Sequence, residues 1–352
     1  MVHGIGEHQP GYSSRLADNL MTKLNLDQRV ITTKRITLRE PDVSDDPLGG
    51  LRISRYLNGD RTHELLFYEL TWSNITEPHR KAIEYDSSGE YAYRRTPVFN
   101  MMKRYFNENI VDPLLYLGEQ HEPILTAVEQ SICWMIVKDW HEYEDDEDRV
   151  CDVFDEAKPI HADDEFAFVT HSLGSRIIID ALQRVAAERL ADRTEEGFVG
   201  LRRKCQDKRF RIYMLANQLP LLEVGRTPAE VRREIRDYCM PGGRHYQDRL
   251  TGGLSIYAFS DPNDLLSYPI PPEFAENFID SRLCPEVTNV VLNVANPISI
   301  LGLAEVANPL EAHANYDRDE RVISIIAHGF GNGEKTSIDD EKCTWRKLTA
   351  DS

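Results

Sequence analysis

One serine in the sequence stands where a strand-like segment changes into a helix-like segment. Residues 166–170 (FAFVT) form a short apolar run, Ser172 follows it, and residues 176–190 carry apolar side chains at helical spacing. A sharp turn of this kind lifts a hydroxyl out of a sheet and places it beside unpaired helix N–H groups, which favour developing negative charge. Ser172 is therefore the candidate nucleophile, and a serine that only caps the helix is the alternative.

The five residues around this serine follow a known pattern with one departure. Nucleophile turns usually have the pattern G-x-S-x-G, whereas residues 170–174 have Thr170 in place of the first glycine (THSLG). The first position must be small because the turn is crowded, and threonine is at the upper limit of size. Gly174 allows the helix to pack close to the strand.

A second motif offers backbone N–H groups for a negatively charged oxygen. Residues 3–6 (HGIG) form a glycine-containing loop, in which the amide of Ile5 can donate one hydrogen bond. The amide of Leu173, directly after the serine, can donate the other. Loops of this kind normally follow a buried strand, and only Met1 and Val2 precede this one. Either the true start of the chain lies upstream, or the fold lacks its usual first strands.

Two carboxylates and one imidazole complete the candidate site. Residues 260–264 (SDPND) follow a predicted strand, so a carboxylate there can orient a histidine; Asp264 is the predicted acid and Asp261 the alternative, although both could instead cap turns. His313 lies after the last predicted strand and before the final predicted helix, where a general base can approach the serine. His328 is the competing candidate, but it lies after that helix. His171 is interpreted as a packing residue of the turn.

The elements that must position these residues alternate between strands and helices. Helices are predicted at residues 13–24, 176–190 and 317–327, and strands at 30–38, 51–56, 64–72, 166–170, 211–216, 254–259 and 287–294. This alternation predicts one α/β domain over residues 1–352, with a mostly parallel central sheet flanked by helices. Ligands bind such sheets at the carboxyl ends of the strands. Residues 78–162 are predicted to form a helical insertion, a candidate lid, and their acidic run at 144–148 is interpreted as a solvated loop.

Composition excludes some classes of partner. The net charge of −18 repels nucleic acid and disfavours anionic membranes, although a local apolar patch could still contact lipid. The six cysteines fit no zinc pattern and are interpreted as buried thiols in a reducing compartment, with disulfides left open. We see no signal peptide or membrane span, which favours the cytoplasm. Oligomeric state cannot be inferred.

Taken together, the motifs at residues 3–6, 170–174, 260–264 and 312–316 resemble those of the α/β-hydrolase superfamily, on its lipase and esterase side. The order of Ser172, Asp264 and His313 is the order of that superfamily, and Asp264 with Pro269 behind it resembles a D-x-V-P segment. The resemblance implies acyl transfer without metal or other cofactor, in which Ser172 attacks an ester of a small molecule or lipid. A buried hydroxyl, or no imidazole near it, would count against this assignment.

Other functions remain open at this stage. The fold also hosts inactive members, so a non-catalytic interaction protein is one alternative, favoured by the missing first strands, Thr170 and the large insertion. A thioesterase or an acyltransferase is another alternative within the same chemistry.

Overall fold

A computed structural model of the chain describes residues 1–40, 47–84, 95–151, 164–187, 205–223, 226–296, 298–300, 304–330 and 343–348. The strands are β1 (Asp27–Leu38), β2 (Gly49–Leu57), β3 (Glu64–Thr71), β4 (Asp146–Asp148), β5 (Phe166–His171), β6 (Arg209–Leu215), β7 (Gly253–Ser260), β8 (Pro285–Leu292), β9 (Ile298–Ile300), β10 (Ala304–Val306) and β11 (Cys343–Lys347). The helices are α1 (Ser14–Lys23), α2 (Glu77–Glu84), α3 (Pro97–Tyr116), α4 (His121–Val137), α5 (Gly174–Ala187), α6 (Ile235–Cys239), α7 (Pro272–Phe278), α8 (Pro309–Ala314) and α9 (Glu320–His328). The α/β class is confirmed.

The sheets are mixed, so the prediction of a mostly parallel sheet was wrong. One part has the order β3-β2-β1-β4 and the other β11-β8-β7-β6-β5. The strands β5 to β8 pair in parallel, because helices and long segments join them, but β1, β2 and β3 form an antiparallel meander. Strands joined by short connections cannot make the crossover that parallel pairing requires. The edge strand β11 is also antiparallel to β8.

Val2 connects the two parts of the sheet. It forms parallel bridges to Leu70 in β3 and to Thr170 in β5. Its amide donates to the carbonyl of Val169 at 2.9 Å, and its carbonyl accepts from the amide of His171 at 3.1 Å. Met1 and Val2 thus occupy the strand position that a loop beginning at residue 3 requires.

Successive side chains of each strand point to opposite faces of the sheet, and each face packs against its own core. In β6, Ile212 and Met214 face a core that includes residues of α4 and α5. Tyr213 and Leu215 face the opposite core, which is built with residues of α1 and α9. The sheet therefore separates two cores, each closed by a different pair of helices.

Residues 78–162 contain α3, α4 and most of α2, with residues 85–94 and 152–163 outside the described part. Its interpretation as a lid stays a prediction. The acidic run, however, is more than a solvated loop. Within it, β4 pairs in parallel with β1, and Glu147 is buried against Lys138 at 2.8 Å.

Four of the six cysteines form two disulfides, so the interpretation of these four as thiols was wrong. Cys133 of α4 is bonded to Cys151, with Cα atoms 6.1 Å apart. Cys239 at the end of α6 is bonded to Cys284 just before β8, with Cα atoms 5.4 Å apart. Pairing depends on tertiary proximity, which cysteine spacing does not reveal. Among the described residues, no helix combines the length and apolar character that crossing a bilayer needs.

Candidate active site

Ser172 lies at the turn between β5 and α5 in a backbone conformation that is uncommon for a residue with a side chain. Its φ is +55°, in the left-handed region. The amide of Ser172 donates to the carbonyl of Leu215 at the end of β6, and its carbonyl accepts from the amide of Ser175 in the first turn of α5. Strained conformations persist only where the surrounding structure enforces them, and they are concentrated at functional sites.

Thr170 fits the place of the usual glycine because its hydroxyl has a partner. The residue is fully buried, and its Oγ1 lies 3.2 Å from Oγ of Ser175. A buried hydroxyl without such a bond would cost on the order of 1–3 kcal/mol. The departure from the sequence pattern is thus compensated locally.

His313, which is partly buried, is paired with the buried carboxylate of Asp264. Nδ1 of His313 lies 3.0 Å and 2.9 Å from the two carboxylate oxygens of Asp264. Burial by itself would raise the pKa of the Asp264 carboxyl, but the hydrogen bond and charge of His313 and the Leu266 amide hold that pKa below its usual value. An ionised carboxylate only accepts, so the Nδ1 atom carries the proton and the Nε2 lone pair is available as a base. His313 lies in the short helix α8 rather than in a loop.

Asp261, the alternative acid, has a structural role. One of its oxygens accepts from the backbone and side-chain nitrogens of Asn263, at 2.8 Å and 3.0 Å. The other accepts from the amides of Val294 and Ala295, at 2.7 Å and 3.1 Å. The two carboxylates are three residues apart in sequence, yet only Asp264 contacts the imidazole.

The nucleophilic oxygen and the basic nitrogen of the candidate site are both buried and lack a described hydrogen-bond partner. Oγ of Ser172 and Nε2 of His313 have no hydrogen-bond partner among the described residues, and Ser172 is 0% exposed. Buried polar atoms are usually paired, and each unpaired one calls for an explanation. Hydrogen bonds between a nucleophile and its base are often long in unliganded enzymes and tighten with substrate. Burial of the hydroxyl is nevertheless the observation that counts against catalysis.

His171 supports the base through the backbone. Its Nε2 lies 2.8 Å from the carbonyl oxygen of His313, and the two rings meet edge to face at 5.0 Å. Because that oxygen only accepts, Nε2 of His171 must be the donor. His171 was interpreted as a packing residue, and it also fixes the main chain of His313. The competing base, His328, is exposed at the end of α9.

His171 should make the folded protein sensitive to acid. Its burial and the nearby His313 lower its pKa to about 3, from the usual value of 6.5. Between these values the unfolded chain binds the proton and the folded chain does not, so stability falls as the pH drops below 6.5. The expected loss from this group is about 1.4 kcal/mol per pH unit, or about 2 kcal/mol at pH 5.

Urea unfolding of the wild type and of His171→Gln at several pH values measures this effect. The glutamine amide can still donate to the carbonyl of His313, but it does not titrate. We expect a shallower loss of stability below pH 6.5 in His171→Gln than in the wild type. The exposed His141→Gln variant is the control and should keep the wild-type slope. Equal slopes in all three proteins would contradict the buried, neutral state of His171.

The loop at residues 3–6 is held by a neutral histidine. The backbone amide of Trp72 donates to Nε2 of His3 at 3.1 Å, so Nδ1 carries the proton and donates to the carbonyl of Gly4 at 2.8 Å. Burial, followed by the charge of nearby His8, lowers the pKa of His3 well below its usual value. The imidazole stacks on the Trp72 ring at 4.5 Å.

Two glycines allow this loop to lie directly on the serine turn. A Cβ atom on Gly4 would come within 2.7 Å of both the carbonyl oxygen of His171 and Cβ of Ser172. A Cβ atom on Gly174 would come within 2.7 Å of the carbonyl oxygen of Val2. The loop therefore contacts Ser172, and no acceptor among the described residues takes a bond from the amide of Ile5 or Leu173.

Replacing Gly4 with alanine should damage catalysis more than stability. The added methyl meets backbone atoms that cannot rotate away, so the loop must shift relative to Ser172. Displacement of a catalytic group by about 1 Å can cost about 100-fold in rate, and we expect a loss of that order in kcat/KM for ester hydrolysis. Gly59→Ala is the control, since nothing lies within 4 Å of a Cβ there. A Gly4→Ala protein with wild-type kcat/KM would contradict the predicted packing.

One contact of the loop at residues 3–6 has no signal in the sequence. The amide of Gly6 donates to Oδ2 of Asp112 in α3 at 2.7 Å. The two residues are far apart in the chain, and a single aspartate in a predicted helical insertion gives no signal of such a contact. Elsewhere in the described part of the chain, no group of three or more His, Cys, Asp or Glu side chains is arranged to hold a metal ion.

Comparisons with known proteins add no assignment. No protein-family model matches the chain, and neither the curated proteins nor the solved structures include a match to it.

Proposed function

We propose that the chain is a serine hydrolase of carboxylic esters with an α/β-hydrolase fold. The observation that carries the proposal is the His313–Asp264 pair, whose Nε2 atom is buried and, like Oγ of Ser172, has no hydrogen-bond partner among the described residues. Nucleophilic acyl transfer requires an activated serine and a histidine oriented by a carboxylate, and the hydrogen bond from His171 to the carbonyl of His313 joins the segments that carry these two residues. The strained φ of Ser172 supports the same assignment.

Each residue has a defined part in the proposed reaction. Oγ of Ser172 attacks the ester carbonyl carbon while Nε2 of His313 accepts the hydroxyl proton, and the amides of Ile5 and Leu173 donate to the resulting oxyanion. The imidazolium then returns its proton to the departing alcohol, which leaves an acyl group on Ser172. Water attacks this acyl-enzyme, His313 accepts a water proton, and the acid is released as the proton returns to Ser172. Asp264 stabilises the imidazolium in both acylation and deacylation.

The order of elements supports the proposed fold. Ser172 follows β5, Asp264 follows β7, and His313 follows β8, the last of four consecutive parallel strands. Catalytic groups gather at the carboxyl ends of such strands. The antiparallel meander and the edge strand β11 are compatible with an open α/β sheet that carries additions at its edges.

Exposed apolar side chains beside the site favour an apolar substrate. Leu265 next to Asp264 is 68% exposed, and Leu310 near His313 is 55% exposed. Further apolar side chains are exposed along one face of α3 and at the residue that follows it: Phe99, Met102, Ile110, Leu114 and Leu117. Exposed apolar patches are typical of ligand or lipid contact. We therefore place lipid-like esters among the substrates, with a lid role of the insertion and membrane contact as part of this proposal.

Hydrolysis of nitrophenyl esters of increasing acyl length tests the proposal. We expect saturable hydrolysis of at least one ester, with kcat/KM rising from acetate toward longer acyl chains as apolar burial increases. An absence of hydrolysis across the series by folded protein would refute it. Product analysis with an added alcohol separates hydrolysis from acyl transfer, and a thioester substrate separates a thioesterase.

One observation favours a second candidate, a non-catalytic interaction protein. Ser172 is fully buried, so a substrate reaches it only if covering residues move. A protein that never opens would bind partners through its surface without chemistry. Stoichiometric labelling of Ser172 by an active-site probe excludes this candidate, and the absence of any labelling supports it.

The compartment stays a prediction. Disulfides are typical of proteins in oxidising environments, so Cys133–Cys151 and Cys239–Cys284 weigh against the expected cytoplasmic location. Fractionation of cells that express the tagged chain, with thiol trapping before lysis, tests it. Reduced cysteines in the cytosolic fraction would support the cytoplasmic expectation, and oxidised pairs in another fraction would refute it.

A further inference from the structure

A buried ion pair in the insertion is directly joined to the loop at residues 3–6. Asp112 of α3 is 0% exposed, and Nη1 of Arg80 in α2 donates to its two carboxylate oxygens at 2.9 Å and 3.2 Å. Burying two charges is costly unless both are paired and fully hydrogen-bonded. The other hydrogen bonds of Asp112 and Arg80 therefore show which segments this ion pair holds in place.

The Asp112 carboxylate holds the peptide bond that follows Ile5. Its Oδ2 accepts from the amide of Gly6 at 2.7 Å, and the carbonyl of the same peptide accepts from Nε2 of His8 at 3.1 Å. Both ends of the Ile5–Gly6 peptide are thus fixed. The φ of Gly6 is +98°, a conformation that L side chains rarely adopt, so the chain turns sharply at this point.

Arg80 ties the same pair to a second contact of the loop. Its Nη2 donates to the carbonyl of Ser73 at 2.9 Å. The hydroxyl of Ser73 donates to the carbonyl of His8 at 3.0 Å and accepts from the His8 amide at 3.2 Å. The chain from residue 3 to residue 8 is therefore connected to α2 and α3 at two places, residue 6 and residue 8.

We propose that Asp112, held by Arg80, is a positioning residue that sets the orientation of the Ile5 amide toward the oxyanion formed at Ser172. The proposal rests on the proposed function, because it concerns the amide assigned to stabilise that oxyanion. Asp112 contacts neither the nucleophile nor the base. It acts by fixing the peptide next to Ile5, so that the Ile5 amide is already oriented before the oxyanion forms.

The position of Asp112 also constrains the insertion. Any movement that carries the C-terminal half of α3 away from the loop breaks the Gly6–Asp112 bond. If Asp112 positions the Ile5 amide, this bond must therefore be intact when the oxyanion forms.

The effect of Asp112 should be on the chemical step rather than on binding. The Asp112→Ala variant removes the acceptor of the Gly6 amide, and we expect kcat to fall roughly 10- to 100-fold with KM within about threefold. Affinity for a trifluoromethyl ketone, whose adduct with the serine carries an oxyanion, should fall by a similar factor. In Asp112→Asn the neutral oxygen still accepts, but more weakly than a carboxylate, so kcat should fall about three- to tenfold.

Glu147→Gln is the matched control. Glu147 is also a buried carboxylate in the insertion, paired with Lys138 at 2.8 Å, but none of its hydrogen bonds reaches the loop at residues 3–6. We expect Glu147→Gln to lose stability and to keep kcat and ketone affinity within about twofold. Thermal unfolding of all variants shows which are folded.

The outcomes decide between the positioning role and a structural one. Folded Asp112→Ala with wild-type kcat and ketone affinity overturns the proposal, as does an equal loss of kcat in Glu147→Gln. If Asp112→Ala does not fold, the decision falls on Asp112→Asn, and wild-type kcat there overturns it. A wild type that hydrolyses no ester refutes the proposed function and this proposal together, whereas an active wild type with unaffected Asp112 variants refutes this proposal alone.

Discussion

Replacing Ser172 with alanine is expected to lower kcat/KM for ester hydrolysis by roughly 10⁴-fold or more. The variant has no oxygen to attack the carbonyl, so no acyl-enzyme forms, and any remaining rate comes from the oxyanion donors and binding alone. The fold should persist, because Oγ of Ser172 makes no hydrogen bond among the described residues. A loss of activity with an unchanged melting temperature is therefore the expected result.

Ser175→Ala is the matched control for this variant. Ser175 is also buried, three residues further on in the first turn of α5, and its hydroxyl is paired with Thr170 at 3.2 Å. We expect that variant to lose about 1 kcal/mol of stability and to keep kcat/KM within a few-fold of the wild type. Activity that survives in Ser172→Ala, measured under the same conditions, would show that another residue carries the chemistry.

Asp264→Asn is expected to lower kcat by about 10³- to 10⁴-fold, with a smaller change in KM. The carboxylate keeps the proton of His313 on Nδ1, whereas an asparagine can present its NH₂ group and favour the tautomer with the proton on Nε2. A protonated Nε2 cannot accept the proton of Ser172. The missing negative charge also leaves the imidazolium without its partner during the reaction.

The Asp261→Asn variant distinguishes the role of Asp261 from that of Asp264. Asp261 accepts four hydrogen bonds from Asn263, Val294 and Ala295 and none from a histidine. Its replacement should lower the free energy of unfolding by about 1–3 kcal/mol and leave kcat within a few-fold. Urea unfolding and steady-state kinetics on both variants check this. The reverse result, with activity lost only in Asp261→Asn, would assign the acid to Asp261.

Local patterns in the sequence predict the elements that carry the site. The apolar runs at β5, β6, β7 and β8 are buried by helices on both faces, so burial and β-propensity indicate them without tertiary information. The change of period between β5 and α5 predicts the turn at Ser172, and the structure gives this residue a left-handed φ of +55°.

Other features depend on contacts between distant segments. Whether Asp261 or Asp264 faces His313 depends on how the loop after β7 turns, and both residues have the same chemistry in the sequence. The antiparallel direction of β1 to β3 and the pairing of Cys133 with Cys151 depend on which segments meet in the folded chain. The hydrogen bond between Gly6 and Asp112 also joins segments that are distant in the sequence.

Covalent labelling with a fluorophosphonate tests the central claim most directly. The probe reacts with a serine only when a base activates its hydroxyl and amides stabilise the oxyanion. Intact-mass measurement and peptide mapping should show one adduct per chain, on Ser172, with no adduct in Ser172→Ala and a normal adduct in Ser175→Ala. Folded wild-type protein that stays unlabelled, or that is labelled at a different residue, would contradict the account.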